Sequence, residues 1–153
     1  MTATWDIEIM NAAPELLAEL HAGCFEQPWN ANAFANLLRT PGTVATIARG
    51  DGDNGTPAGF ALLRLAGGEA EIVTIGVRPA CRGRGAGAAL LDDLTTRARA
   101  AGASALLLEV AVDNTAAIAL YQGRGFASHG RRARYYRRPG GAVDAIIMRQ
   151  ALV

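Results

Sequence analysis

The chain has 153 residues, enough for one domain of ordinary size and too few for two. Half of the residues are hydrophobic, 19% are charged and the formal net charge is +1, which excludes wholesale disorder and provides no global field toward nucleic acid or membranes. No apolar run approaches the roughly 20 residues of a membrane span, and the N-terminus lacks a signal-peptide pattern, so a soluble, cytoplasmic protein of one domain over residues 1–153 is expected.

In chain order, Pro14–Ala22 and Asn30–Leu38 have the pattern of two short amphipathic helices, the second capped by Asn30 after the break at Pro28-Trp29. Residues 50–57 (GDGDNGTP) form a turn between two apolar runs, so Thr43–Arg49 and Pro57–Leu65 are expected to pair as a hairpin. Glu69–Val77 is a strand rich in β-branched residues. A glycine-rich turn, Arg82–Gly87, leads into a run with helical spacing through Ala89, Leu90, Leu94 and Ala98. Ala103–Val112 is a second, strongly apolar strand, and Asp113 is the expected cap of a helix over Asn114–Gly123. Two further strands, near Arg132–Tyr136 and Ala142–Arg149, flank the turn Arg138-Pro139-Gly140-Gly141. Helices, hairpin, strand, helix, strand, helix and strands make a mixed α/β domain.

Several chemistries fall away on residue types. All fifteen basic residues are arginine, so no lysine amine is present for a Schiff base or a Walker loop. Cys24 and Cys81 form neither a disulfide framework nor a metal-ligand spacing, and His21 and His129 stand alone, so no metal site is expected. Both cysteines are expected to be structural, Cys24 as core at a helix end. Six arginines fall between Arg124 and Arg138; they form either a solvated basic face or a surface steering an acidic or RNA-bound partner, with no direct nucleic-acid binding expected.

The segment 82–87 has the pattern R-x-x-G-x-G between a strand and a helix. Glycines permit close approach of an anion, the helix presents open N–H groups, and Arg82 and Arg84 add charged donors. The spacing leaves open a tight turn with close helix packing, and Glu109 leaves a dinucleotide site formally open. Glu109, at the end of an apolar strand, is either a partly desolvated base or an ordinary strand-end charge.

The stretch Glu69–Leu91, followed by Leu108-Glu109-Val110, Asn114, Ala117, Leu120-Tyr121 and Gly125-Phe126, resembles the GNAT superfamily of acetyl-CoA-dependent N-acetyltransferases. Phe25-x-x-Pro28-Trp29, Arg134-Tyr135-Tyr136 and Asp144–Met148 are similar to its RimI-type branch, the ribosomal-protein N-terminal alanine acetyltransferases. The likeness runs from about residue 20 to 149, with Ala111 standing where the branch often has arginine.

The resemblance implies a GNAT fold: a mostly antiparallel, twisted central sheet of six or seven strands with about four helices. It implies acetyl-CoA as cosubstrate, with the pyrophosphate on Arg82, Gly83, Arg84, Gly85, Ala86, Gly87 and Ala88. Ile75, Gly76 and Val77 would pair with the pantetheine amides like an added strand. Gly76 would avoid crowding that chain, or mark a β-bulge. Asn114 would contact the cofactor, Glu109 would be the general base and Tyr121 the general acid. Trp29 and Tyr136 could wall a peptide groove, although Trp29 equally suits a core. The implied acceptor is a protein N-terminus, foremost the N-terminal alanine of small-subunit ribosomal protein eighteen. A small-molecule amine or lysine acceptor and a non-catalytic CoA-binding module are the alternatives.

Overall fold

The computed structural model describes residues 4–50 and 56–152. Along the chain run β1 (Trp5–Ile9), α1 (Pro14–Ala22), α2 (Ala31–Arg39), β2 (Thr43–Gly50), β3 (Gly59–Ala66), β4 (Glu69–Val77), α3 (Ala86–Ala100), β5 (Ala105–Ala111), α4 (Thr115–Gly123), β6 (Ala127–Arg138) and β7 (Gly141–Ala151). A 3-10 turn at Pro79–Cys81 joins β4 to α3. The predicted elements contain no strand at residues 5–9. Trp5, Ile7 and Ile9 nevertheless alternate with Asp6 and Glu8 at the period of a strand, and they pair antiparallel with β2. The predicted turn at 50–57 lies largely outside the described residues, at 51–55. Its hairpin is present, with Thr43 opposite Arg64 and Ala48 opposite Gly59.

The strands form one sheet in the order β1-β2-β3-β4-β5-β7-β6. All neighbours are antiparallel except β4 and β5, which run parallel and pair only at Ala70↔Leu106 and Glu71↔Leu107. Past Glu71 the two strands part. β4 also carries a bulge where its register with β3 slips: Leu63 faces Ile72 and Leu62 faces Thr74, leaving Val73 as the extra residue. The bulge is therefore at Val73 and not at Gly76.

Side chains alternate across the sheet, so β2, β3 and β4 contribute to two cores. On one face Leu90, Leu91, Leu94 and Ala98 of α3 pack on Ala61, Leu63, Ile72, Leu106 and Leu108. On the other, Leu17 and Leu20 of α1 and Phe34 of α2 pack on Ile47, Phe60 and Leu62. Each fully buried leucine or phenylalanine contributes roughly 1.5–3 kcal/mol, and Leu17, Phe34, Leu90 and Leu94 are 0% exposed. In β5 the same alternation turns Leu106, Leu108 and Val110 toward α3 and puts Glu109 on the opposite face.

Caps set the helix boundaries locally. Asn30 accepts the Ala33 N–H at 2.9 Å, as expected from its position. At α4 the cap is Asn114, whose Oδ1 accepts the Ala117 N–H at 3.3 Å, and the helix begins at Thr115. Asp113, the expected cap, is instead drawn into a two-point ion pair with Arg138, both contacts at 3.0 Å. A charge-assisted pair across 25 residues outcompetes a local amide contact there. The last two strands are longer than predicted, at 12 and 11 residues, and β6 forms a sheet edge broken by bulges.

Candidate active site

The divergence of β4 and β5 opens a cleft of about 590 Å³. Its floor is Ile72–Ile75 of β4 and Leu108–Ala111 of β5. One wall is the segment between α1 and α2 with Cys24, Phe25 and Trp29; the other is Tyr135–Arg138 at the end of β6. Asn114, just before α4, and Tyr121 of α4 also line the cleft. The structure thus brings together Glu109, Tyr121, Asn114, Ile75, Trp29 and Tyr136, six residues singled out from the sequence.

Glu109 is held on several sides. Its carboxylate is 2.6 Å from Arg132 Nε, and its side chain is 19% exposed against 57% for the arginine. The Tyr136 hydroxyl donates to the Glu109 backbone carbonyl at 3.3 Å. Glu109 also borders a second hollow of about 270 Å³ on the side of Arg64, Glu71 and Arg132, so the residue lines both cavities.

Tyr121 is 6% exposed, its ring 5.9 Å from that of Phe126, and burial pushes its hydroxyl up to about 12. Burial first, and then the Glu109 charge, pushes Tyr136 up to about 12 as well. Both are phenols, and hence proton donors, throughout the neutral range. Tyr135 is 52% exposed and meets Tyr136 edge to face at 5.0 Å.

Sequence reading missed what holds the opposite wall. His21 is 2% exposed and stacked between Phe25 at 4.2 Å and Trp29 at 4.7 Å. Its Nδ1 accepts the Trp29 backbone N–H at 3.1 Å, which leaves the ring proton on Nε2. Burial pushes the imidazole down to about 4, so it is neutral at pH 7. Trp29 is both core and wall: it packs with Phe34 at 5.7 Å while lining the cleft. A histidine flanked by Phe25 and Trp29 at offsets of four and eight is the sequence signal for this stack.

Beyond the cleft, β4 runs into the glycine turn. Gly83 and Gly85 have φ of 78° and 89°, left-handed values that favour glycine. Gly85 caps α3 without any side-chain hydrogen bond, so the first-turn amides of Ala86, Gly87 and Ala88 have no side-chain cap. Arg82 Nε donates to the Val77 carbonyl at 3.0 Å, closing the turn onto the end of β4. Trp5 Nε1 donates to the Arg84 carbonyl at 3.1 Å, and the Arg84 guanidinium lies over the Trp5 ring at 5.2 Å. This brace, reaching across 79 residues, has no local sequence signal.

Gly76 has a packing reason of its own beside the expected one. A Cβ there would lie 2.9 Å from the Phe60 ring and 3.1 Å from Cys24 Sγ, so packing beneath the strand excludes a side chain. Cys24 is half-buried and lines the cleft, and burial pushes its thiol up against the opposing pull of Arg82 and Arg78. Cys81 is 4% exposed and packs with Ala58 and Ala86. Of the six arginines between 124 and 138, Arg124, Arg131, Arg132 and Arg138 are paired within the fold with Asp92, Asp144, Glu109 and Asp113. These pairs lie at the surface, those of Arg131, Arg132 and Arg138 on a strand that is exposed over most of its length. Among the described residues no His, Cys, Asp and Glu side chains gather into a possible metal site, and no helix is long and apolar enough to cross a membrane.

The parted strands β4 and β5 thus set Glu109 and Tyr121 in one cleft, and β4 leads from it into the glycine turn that opens α3. Residues 14–126 match the acetyltransferase (GNAT) family, and the chain belongs to that family. Among its relatives, the N-alpha-acetyltransferase RimI of Mycobacterium tuberculosis is 42% identical over 140 residues, covering 89% of this chain and 82% of the relative. The [ribosomal protein bS18]-alanine N-acetyltransferase of Escherichia coli (strain K12) is 41% identical over 121 residues, 79% of each chain. The crystal structure of the ribosomal-protein-S18-alanine N-acetyltransferase from Escherichia coli superposes with a TM-score of 0.88 at 29% identity, covering 97% of this chain and 94% of that one.

Proposed function

We propose that this acyltransferase moves the acetyl group of acetyl-CoA to the α-amine of a protein N-terminus, with the N-terminal alanine of small-subunit ribosomal protein eighteen as the foremost acceptor and the cytoplasm as the setting. One observation carries the reading: Glu109 and Tyr121 line the same cleft, opened by the parting of β4 and β5. The acceptor is supported by two of these relatives, 42% and 41% identical, which are named N-alpha-acetyltransferase and ribosomal-protein alanine N-acetyltransferase.

The donor site suits CoA on three counts. The ladder from β4 to β5 ends at Glu71, so Ile75, Gly76 and Val77 offer backbone groups to the amides of an extended pantetheine arm. The turn Gly83–Gly85 and the amides of Ala86, Gly87 and Ala88 offer donors and the positive end of a helix dipole to a pyrophosphate, with Arg82 and Arg84 adding charge. Asn114, engaged at Oδ1 by its cap, has an amide group at the cleft to contact the cofactor.

The acceptor enters between the Trp29 wall and the Tyr136 wall. Glu109, directly or through water, takes the proton from the attacking ammonium, whose ordinary pKa lies near 8. The neutral amine adds to the thioester carbonyl, the C–S bond breaks, and the leaving sulfur takes its proton from the Tyr121 hydroxyl. Glu109 passes its first proton to bulk water and then takes the second proton that the added nitrogen must lose, which returns through solvent to Tyr121, leaving an amide and free CoA thiol. A buried phenol is a weak acid, so it releases its proton only as charge builds on sulfur.

The test is a panel of Ala-, Ser-, Thr- and Met-initiated peptides, lysine peptides blocked at the N-terminus, and small amines, each with acetyl-CoA. Ala-initiated peptides should be acetylated fastest; turnover confined to the blocked lysine peptides or small amines would overturn the acceptor. Glu109→Gln and Tyr121→Phe should each lower kcat by about 10²–10⁴-fold with acetyl-CoA binding nearly unchanged. Full kcat in both variants would remove these residues from the chemistry.

A further inference from the structure

We propose that Asp144 is a positioning residue for the acceptor side of the cleft, because it pins an outsized bulge in β6 that carries Tyr135 and Tyr136. The proposal rests on the acceptor reading above for the identity of the wall, and on the following geometry for the pin.

Arg132 faces Ala145 and Tyr136 faces Val143, so Ala133, Arg134 and Tyr135 together oppose the single residue Asp144. An ordinary bulge sets two residues against one. The excess is absorbed at Arg134, whose φ of 53° makes it the one left-handed non-glycine among the described residues. Such a conformation is costly for an arginine and persists only where its surroundings impose it.

Asp144 imposes it. One carboxylate oxygen accepts the Arg134 backbone N–H at 2.9 Å and the other accepts Arg131 Nε at 2.8 Å. On the other side the Asp144 carbonyl accepts the Val112 N–H at 3.0 Å, which ties the pin to the end of β5 just beyond Glu109. The bulge is thus clamped from its own strand, from β7 and from β5.

The consequence falls on the cleft. Two extra residues leave the alternation in phase, so Tyr136 stays on the face of Arg132 while Ala133, Arg134 and Tyr135 are carried out of the ladder with β7. In this arrangement Tyr136 reaches the Glu109 carbonyl, Arg132 reaches the Glu109 carboxylate, and Arg132 lies over the Tyr135 ring at 5.6 Å. Asp144 touches none of the cleft groups itself. Loosening it should spoil the wall while leaving the donor side, built on β4 and α3, as it is.

The experiment compares Asp144→Ala, which removes both acceptors, with Arg134→Gly and the double variant, using the acceptor that the wild-type chain acetylates fastest in the panel above. Asp144→Ala should raise KM for the acceptor by about tenfold, with kcat at saturation and the Kd for acetyl-CoA within about twofold of wild type. Glycine holds the left-handed conformation without strain, so Arg134→Gly in the Asp144→Ala background should recover most of the lost acceptor affinity. A double variant no better than Asp144→Ala alone, or an Asp144→Ala enzyme with unchanged acceptor KM, overturns the proposal. Amide hydrogen exchange at Arg134 gives a readout that needs no acceptor: faster exchange in Asp144→Ala supports the pin, and unchanged protection refutes it. If the panel rejects peptide N-termini, the comparison is made on the amine that is turned over, so the two readings fail separately.

Discussion

Acidification should weaken this fold through His21 before it touches the carboxylates. Burial holds the folded imidazole at about 4, against 6.5 for an ordinary histidine. The folded ring is therefore neutral where the unfolded chain takes up a proton, so stability is full above pH 6.5, falls as pH drops toward 4, and flattens below. At about 1.36 kcal/mol per unit, the 2.5-unit gap sets a ceiling of about 3 kcal/mol, of which about 2 kcal/mol is lost between pH 7 and pH 5. The assay is urea unfolding at half-unit steps of pH for wild type and His21→Asn, which keeps an acceptor for the Trp29 N–H. The variant should start lower by about 1–3 kcal/mol, because the stacks on Phe25 and Trp29 are lost. Its curve should then be nearly flat over the window in which the wild type declines. Asp113 and Asp144, whose carboxyls are held below the usual range chiefly by bonds from Arg138 and from the Arg134 N–H, contribute losses only below pH 4 and equally in both proteins. Parallel curves between pH 7 and pH 5 would refute the reasoning.

Two further outcomes follow from contacts far apart in sequence. Gly76→Ala should destabilise by about 1–3 kcal/mol, since the new Cβ meets the Phe60 ring, itself 0% exposed, at 2.9 Å. A melting temperature unchanged from wild type would show that the strand shifts freely there. Trp5→Phe keeps the ring and removes the bond to the Arg84 carbonyl, so the Kd for acetyl-CoA should rise about 3–10-fold while acceptor KM and kcat hold. Isothermal titration with acetyl-CoA reads this directly, and an unaltered Kd would detach Trp5 from the glycine turn.

The elements legible in the residues are those whose cause is local. Asn30 caps α2 because its side chain reaches an amide three residues on, and Gly83 and Gly85 mark a left-handed turn because only glycine enters that region without cost. The apolar run of β5 around Glu109 and the helical spacing through Tyr121 were likewise visible, as was the family likeness. What the tertiary structure alone decided are contacts whose partners lie tens of residues apart. Asp113 left its cap for Arg138, Gly76 is small on account of Phe60 and Cys24, and Trp5 braces a turn 79 residues away. The bulge at Ala133–Tyr135 exists because β6 must meet β7 on one edge and Glu109 on its face, and no window of sequence contains both demands. Periodicity and capping are settled within a few bonds of backbone; a cleft is settled by which strands part, and that depends on the whole sheet.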